Sequence, residues 1–401
     1  MKVLVANIGS TSFKYRLYEM DGEIQLAKGR IERIGEASSP VEVEVNGQKF
    51  AKELPVPNHG EAVRQCLIQL TSPEVGCLKD PSEVSAIGFK AVLGGRVTGV
   101  QIVTDEIIKA MEEVVDIAPA HNPPYIAAMK QLREILPEVP LVAAFETGFH
   151  ADIPEANRTY AVPDEWIEKY NIRRLCFHGA SHRYISVRTA ELLGRNDLRI
   201  ISCHLGGSSS ICAIKDGKSR ASSMGGSPQG GLPQNNRVGD FDPYLLPYLM
   251  KKTGKSCEEI LEILGKKAGL LGMSGGVGTD LRDILAAADA GNPKAKRAID
   301  VLVFDIRRYL GAYLIELGGA DAIVFTGGIG ENQWRIREMV CRNLSEFGII
   351  LDPAKNEACR ATEMRISADS SKVQIWVIPT NEEIIVARQT VAAITKKTNN
   401  E

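Results

Sequence analysis

Residues 3–23, VLVANIGSTSFKYRLYEMDGE, place Asn7, Gly9, Ser10, Thr11, Ser12 and Lys14 in one corner between two apolar stretches. A simple hairpin needs only a two-residue Asn-Gly or Asp-Gly turn. The surplus has a chemical reading. Glycine lets backbone N–H groups approach a ligand closely, and successive turn amides form an anion-binding concavity. Hydroxyls add neutral donors, and Lys14 adds a point charge of the kind placed on phosphate. An ordinary Gly/Ser loop is the competing explanation, and for one corner alone it is the better one.

The corner occurs twice. RIISCHLGGSSSICAIKDGKS (199–219) repeats the plan, with His204 in the place of Asn7 and Leu205-Gly206 in the place of Ile8-Gly9. Hydroxyls follow, then a second strand ending in Asp-Gly, about half the chain away. Self-similarity at that spacing means two similar domains rather than an array of short units. It also moves the reading of both corners toward phosphate. A third glycine-rich turn, FTGGIGEN (325–332), follows an apolar strand. Alone it is weak, but between that strand and a helix beginning near Asn332 it aims backbone amides at an anion or nucleotide.

These corners must be held by strands and helices. Strand patterns cover 3–7, 13–18, 24–31, 41–44, 86–92, 141–145, 200–204, 211–214, 322–326 and 373–378. Helical spacing appears at 105–115, 123–136, 292–317 and 381–394, and Ser256 with Glu259 forms a capping box. Strands come in runs and then alternate with helices in both halves. With 401 residues, about two α/β domains are expected.

Net charge is −2 and no apolar run is long enough for a membrane span, so neither a nucleic-acid nor a membrane partner is expected. The chain enters a strand at once, without a leader pattern, and a cytoplasmic protein is the expectation. Eight cysteines without paired spacing read as buried free thiols.

With NIGSTSFK (7–14), APAHNP (118–123), FETGFH (145–150), FHGASH (177–182), HLGGSSS (204–210), NRVGDFDP (236–243), FTGGIGEN (325–332) and IPTNEE (378–383) in this order, the chain resembles the acetate kinases. That is the acetate/propionate kinase group of the sugar kinase, heat-shock ATPase and actin superfamily. The resemblance runs from Val3 to about Ala393. It implies two actin-like, ribonuclease H-like domains with the active site in the cleft between them. It places residues 1–150, joined by a C-terminal helix of about 384–401, in one domain. Residues 151–383 form the other, which binds nucleotide and makes a homodimer. The implied reaction is reversible transfer of phosphoryl from ATP to acetate, giving ADP and acetyl phosphate, with Mg2+ or alternatively Mn2+.

The resemblance also implies roles. Arg237 would hold the carboxylate and the transferring phosphoryl, for which a bidentate guanidinium is suited. His178 would stabilise the phosphoryl in transit, and Glu146 would be a further catalytic residue. His121 would support, while His182 and His150 are read as structural. Lys90, Val92, Ala120, Phe177 and Pro228 would line the acyl site. Ser10, Ser12, Lys14, His204, Leu205, Gly206, Gly207 and Ser208 would hold phosphates. Asp280, Leu281, Arg282, Gly328, Ile329, Gly330, Glu331 and Asn332 would take the nucleotide. Asn7 and Glu382 would face the metal.

The chain departs from the family's pattern at several of these positions. Glu146 stands where the family usually has aspartate, and Lys90, in GFK, where it has a second substrate-holding arginine. Arg96, just past Gly94-Gly95, is the alternative cation for that role. Gly207-Ser208 replace Asn-Gly, and Ala120 replaces a leucine. The smaller Ala120 leaves room for one or two methylenes, each worth about 0.8 kcal/mol when buried. A propionate- or butyrate-preferring kinase is therefore the first alternative. A non-catalytic nucleotide-binding protein of the superfamily is the second, and a sugar kinase using Glu146 as base the third.

Overall fold

The computed structural model describes residues 1–119 and 121–398, the last two of these by backbone alone; Ala120 lies outside the described residues. The chain separates into two compact units, Met1–Ala151 with the segment from Asn381 onward, and Asp152–Thr380. Glu382 thus belongs to the first unit, on the far side of the division from the 151–383 domain of the sequence expectation.

The first unit is built on strands β1 (Lys2–Ile8), β2 (Ser12–Glu19), β3 (Ile24–Glu32), β4 (Ser39–Val45), β5 (Gln48–Leu54), β6 (Ala86–Ala91), β7 (Val100–Ile102) and β8 (Leu141–Phe145). Their order in the sheet is β5-β4-β3-β2-β1-β6-β8-β7. β1 to β5 form an antiparallel meander, β1, β6 and β8 run parallel, and β7 returns antiparallel to β8. Leu4, Ala6, Ile8, Phe13, Tyr15, Leu17, Ile87 and Phe89 join one core with residues of helices His59–Thr71 and Asn122–Ile135.

The closing helix, Glu382–Thr398, packs on β6, β1, β7 and β8. Gly88 makes this approach possible. A Cβ there would stand 2.2 Å from Thr390 Oγ1 and 3.0 Å from Val386 Cγ1, so any side chain would lift the helix off the strand. Because side chains alternate along a strand, Lys90 shares Gly88's face. It therefore points toward the end of the helix that begins with Glu382.

The second unit repeats the plan with β9 (Arg199–His204), β10 (Ser210–Lys215), β11 (Lys218–Ser222), β12 (Ala322–Thr326), β13 (Met364–Arg365) and β14 (Gln374–Val377). The order is β11-β10-β9-β12-β14-β13. β9, β12 and β14 are parallel, β10 and β11 continue antiparallel from β9, and β13 closes antiparallel on β14. Strand for strand this is the β3-β2-β1-β6-β8-β7 arrangement of the first unit. Helix Pro293–Leu317, capped by Asn292, supplies much of the second core through Ala298, Leu302, Ile306 and Leu310.

Two local expectations change. β5 is absent from the sequence reading because Gln48–Leu54 is mostly exposed and carries little apolar alternation. Its turn, Asn46-Gly47 with φ of 50° and 79°, is the stronger sign. GGIGEN is not a turn ahead of a helix near Asn332 but is itself the helix Gly327–Asn332, followed by Trp334–Cys341. Three of its amides are already engaged: Gly327 N–H donates to Glu331 Oε1 at 2.9 Å, and Ile329 and Gly330 N–H donate to the Leu205 carbonyl at 2.8 and 3.0 Å.

Candidate active site

In the first unit the corner is a tight turn closed by Gly9 N–H donating to the Ser12 carbonyl at 2.8 Å. A Cβ on Gly9 would stand 2.5 Å from Ser12 Oγ, so glycine is what lets this hydroxyl fold over the turn. Ser10 and Lys14 are exposed, and Asn7 and Ser12 half-buried. Lys14 stands opposite Arg30 across the β2–β3 pair and makes no ion pair among the described residues. Tyr125 supports the corner from beneath: the Ile8 N–H donates to its buried Oη at 2.9 Å. Burial pushes the Tyr125 phenol above its ordinary range.

Lys90 is the centre of a buried charge cluster in this unit. Its Nζ donates to Glu382 and lies 3.9 Å from Glu146 Oε1. The three side chains are 16%, 11% and 5% exposed. Burial opposes the charge on Lys90, but Glu146 and Glu382 together outweigh it and hold the ammonium above the usual lysine value. Sequence reasoning gave Lys90 to the acyl substrate and Glu382 to the metal; the fold brings the two into contact. Val92 packs against the core of this unit, and His121 stands at the head of helix Asn122–Ile135. Arg96 is exposed, beside the turn closed by the Gly94–Val97 bridge. The fully buried Asn122, which sequence reasoning passed over, ties the Leu93 and Met111 carbonyls together at 2.8 Å each.

The second unit gathers histidines. His178 Nδ1 lies 2.8 Å from Ser210 Oγ, and the same hydroxyl lies 2.9 Å from His182 Nε2. His182 Nδ1 is 2.9 Å from Ser202 Oγ, so this fully buried ring is held at both nitrogens, in keeping with a structural reading. His204 stacks on His178 with centroids 4.2 Å apart, and its Nδ1 lies 2.8 Å from Ser181 Oγ. Cys176 and His178 both adopt left-handed backbone, φ of 61° and 58°. Two such residues flanking buried Phe177 store strain of the kind that clusters at functional sites. His150, read as structural, is 3% exposed in the first unit.

Arg237 is half-buried, and its Nη1 donates to Gln234 Oε1 at 3.1 Å and to Ser208 Oγ at 3.4 Å, with the Pro228 carbonyl at 3.5 Å. Burial lowers it below the usual guanidinium value, although a guanidinium stays charged at neutral pH. Every one of these partners is neutral.

A cleft of about 380 Å³ opens beside the second corner. Of the sequence-named residues, Gly206, Gly207, Asp280, Leu281, Arg282, Gly328, Ile329 and Asn332 line it, together with the unforeseen Asn235, Thr279 and Gln333. Asp280 caps helix Leu281–Asp289 and pairs with the Arg282 guanidinium, which pulls its carboxyl down to about 2. Leu205, Gly330 and Glu331 do not line the cleft. Leu205 is buried against the loop, Gly330 packs on Phe325, and Glu331 caps its own helix while accepting from Thr380 N–H at 3.2 Å. Beneath that loop lies the fully buried Arg337. It donates to the carbonyls of Gly330, Glu331, Asn356 and Cys359 and to Asn356 Oδ1, at 2.7–3.0 Å. An arginine among the buried Ile336, Val340 and Cys341 of its helix is the sequence signal that was available. A larger cavity, about 620 Å³, lies on the open face of the first sheet and includes Lys14. Glu42, Glu44 and Glu383 offset its other cations.

Comparison with known proteins gives the family. Residues 2–388 match the acetokinase family. The acetate kinase of Bacillus subtilis is 45% identical over 97% of this chain and 98% of its own length. That of Carboxydothermus hydrogenoformans is 44% identical over 99% of this chain and all of its own. The crystal structure of Porphyromonas gingivalis acetate kinase superposes with a TM-score of 0.90 at 40% identity, covering 98% of this chain and 99% of that one. A propionate kinase from Francisella tularensis gives the same TM-score at 33% identity over the same shares. These matches identify the chain as a member of the acetokinase family, phosphotransferases with a carboxyl group as acceptor.

Proposed function

We propose that the protein is a reversible acetate kinase, transferring the γ-phosphoryl of ATP to acetate to give ADP and acetyl phosphate. The observation that carries this reading is Arg237: a half-buried cation whose partners among the described residues are neutral, next to a glycine-rich corner and a nucleotide-sized cleft. Its fork suits an anionic acceptor and a transferring phosphoryl alike. Phosphoryl transfer to a carboxylate is a meeting of anions, so catalysis is mainly positioning and charge neutralisation. Arg237 would orient the acceptor, His178 would donate to charge developing on the equatorial oxygens, and the hydroxyls and Lys14 of the first corner would hold terminal phosphates. Glu146, with Lys90 beside it, would set the local charge around the acceptor.

A divalent cation fits the first unit's residues. Mg2+ takes oxygen donors and keeps several waters. Asn7 and Glu382 offer such oxygens, and the Lys90 cluster sets two carboxylates against one ammonium, which leaves negative charge to be matched. When bound, the metal would neutralise phosphate charge on the nucleotide.

The purified protein with Mg-ATP, acetate and hydroxylamine should yield acetyl hydroxamate. No acyl phosphate from acetate, propionate or butyrate would overturn the assignment. Arg237→Ala should abolish the reaction while leaving ADP binding nearly intact. Propionate as the preferred acceptor is the second reading, resting on Ala120 and on the likeness to a propionate kinase. It predicts a kcat/KM for propionate at or above that for acetate, reversed by Ala120→Leu.

A homodimer through the second unit belongs to the same reading. Helix Leu245–Thr253 has no buried residue, although it carries Leu245, Leu246, Tyr248 and Leu249. Tyr244 and Tyr248 are 88% and 57% exposed. A cytoplasmic location is supported by eight free cysteines. Among the described residues no helix is long and apolar enough to cross a membrane.

A further inference from the structure

The second corner is short of side chains where it meets the cleft. Gly206 and Gly207 present only backbone there, and Ser208 Oγ is taken by Arg237. The neighbouring loop fills the gap. Asn235 is pinned through its backbone: its N–H donates to the Gly207 carbonyl at 3.2 Å, and its carbonyl accepts from Leu271 N–H at 2.9 Å. Its carboxamide thereby lies over Gly207, with Nδ2 3.4 Å from where a Cβ on Gly207 would stand. The other end of the amide, Oδ1, is buried and has no hydrogen-bond partner among the described residues.

Oδ1 is an acceptor and has nothing to offer an anion; the end of the amide that can serve one is Nδ2, a donor with no hydrogen bond to the described residues. Here the side chain is positioned by its main chain on the wall of the cleft, beside Gly207, while the neighbouring Gly206 N–H already donates to Ser209 Oγ at 3.1 Å. We propose that Asn235 is a phosphate-binding residue of the nucleotide cleft, its amide nitrogen donating to the phosphate chain in the place that Gly207 leaves empty. This rests on the cleft being the nucleotide site. The ligand group is a phosphate, because beside these glycines the amide's contribution is a donor, and phosphate oxygens are acceptors only.

The geometry also makes the two positions interchangeable. Gly207 has an ordinary negative-φ backbone, and the nearest atom to a Cβ there is the Asn235 amide itself. An asparagine at 207 with a glycine at 235 would return a carboxamide to nearly the same spot.

The test is calorimetric titration of the wild type and variants with ADP and, separately, with adenosine. Asn235→Ala should weaken ADP about 10-fold, the scale of one hydrogen bond to a charged group, and leave adenosine unchanged. The pair Gly207→Asn with Asn235→Gly should recover ADP affinity to within about 3-fold of wild type. Asn235→Asp, nearly isosteric, keeps the fold and sets a charge against phosphate, so it should be the worst ADP binder while holding adenosine. Unchanged ADP affinity in both Asn235→Ala and Asn235→Asp, with the wild type binding ADP, would overturn the assignment of Asn235 and leave the nucleotide cleft standing. Equal losses for ADP and adenosine would overturn it too, by moving the contact off the phosphates. A wild type that binds neither ligand would remove the cleft reading itself.

Discussion

Replacing Lys90 by methionine isolates the buried charge cluster. The variant keeps an unbranched apolar stem of similar bulk against the closing helix and removes the ammonium. Glu146 and Glu382 then face each other across the vacated position, 5% and 11% exposed and without their shared cation. Removing one partner of a buried ion pair costs about 3–5 kcal/mol, because the remaining charge stays desolvated. For a unit of this size 1 kcal/mol moves Tm by about 2–4 °C, so a fall of roughly 6–20 °C is expected in the transition of the first unit. The sign with pH follows from the groups involved. In the wild type the Lys90 pKa is raised in the fold, so its contribution is complete below the unfolded lysine value near 10.5 and is lost only as pH rises through the still higher folded value. In the variant, the two crowded carboxylates hold at least one proton more tightly than in the unfolded chain. The deficit relative to wild type should therefore be small near pH 4.5 and grow toward pH 8. Differential scanning calorimetry across that range reads both quantities. A Tm loss under about 2 °C at pH 7.5, or a deficit that does not grow with pH, would refute the reasoning.

Other expectations concern single side chains. Arg337→Gln should strand the Gly330 and Cys359 carbonyls; ADP affinity in calorimetry should drop about 10-fold or more, and Tm should fall with it. Ser210→Ala removes the hydroxyl shared by His178 and His182; kcat should fall roughly 10–100-fold, with the KM for acetate little changed and the pH profile of kcat displaced. Substituting both Tyr244 and Tyr248 with serine should shift the protein toward monomer in light scattering at micromolar concentration, with the secondary structure unchanged.

What could be read from sequence alone followed the range of the signal. Apolar strands with fully buried patterns, such as β8 and β12, were legible because burial on both faces leaves an uninterrupted run. So was the duplication, since each corner keeps its glycine and hydroxyls next to a strand. β5 was not, because an exposed edge strand has no apolar face to declare it. In the site, residues within motifs surfaced by type. Asn235 and Arg337 did not, because their roles depend on which distant carbonyl or glycine the fold brings beside them. The same holds for Lys90: its partners lie in FETGFH and in the closing helix, and only the approach permitted by Gly88 joins them.

That approach has a consequence in time. The helix resting on Gly88 is synthesised after the whole of Asp152–Thr380, more than 200 residues later than the first unit's last strand. At ribosomal rates of about 5–20 residues per second, β1, β6 and β8 wait roughly 10–50 s with one apolar face open. The second unit is contiguous in the chain and can complete itself during that wait. The first unit is thus the later of the two to finish folding. Its uncovered sheet is the surface a chaperone would have to shield, and a ribosome stalled short of Thr390 would leave it exposed.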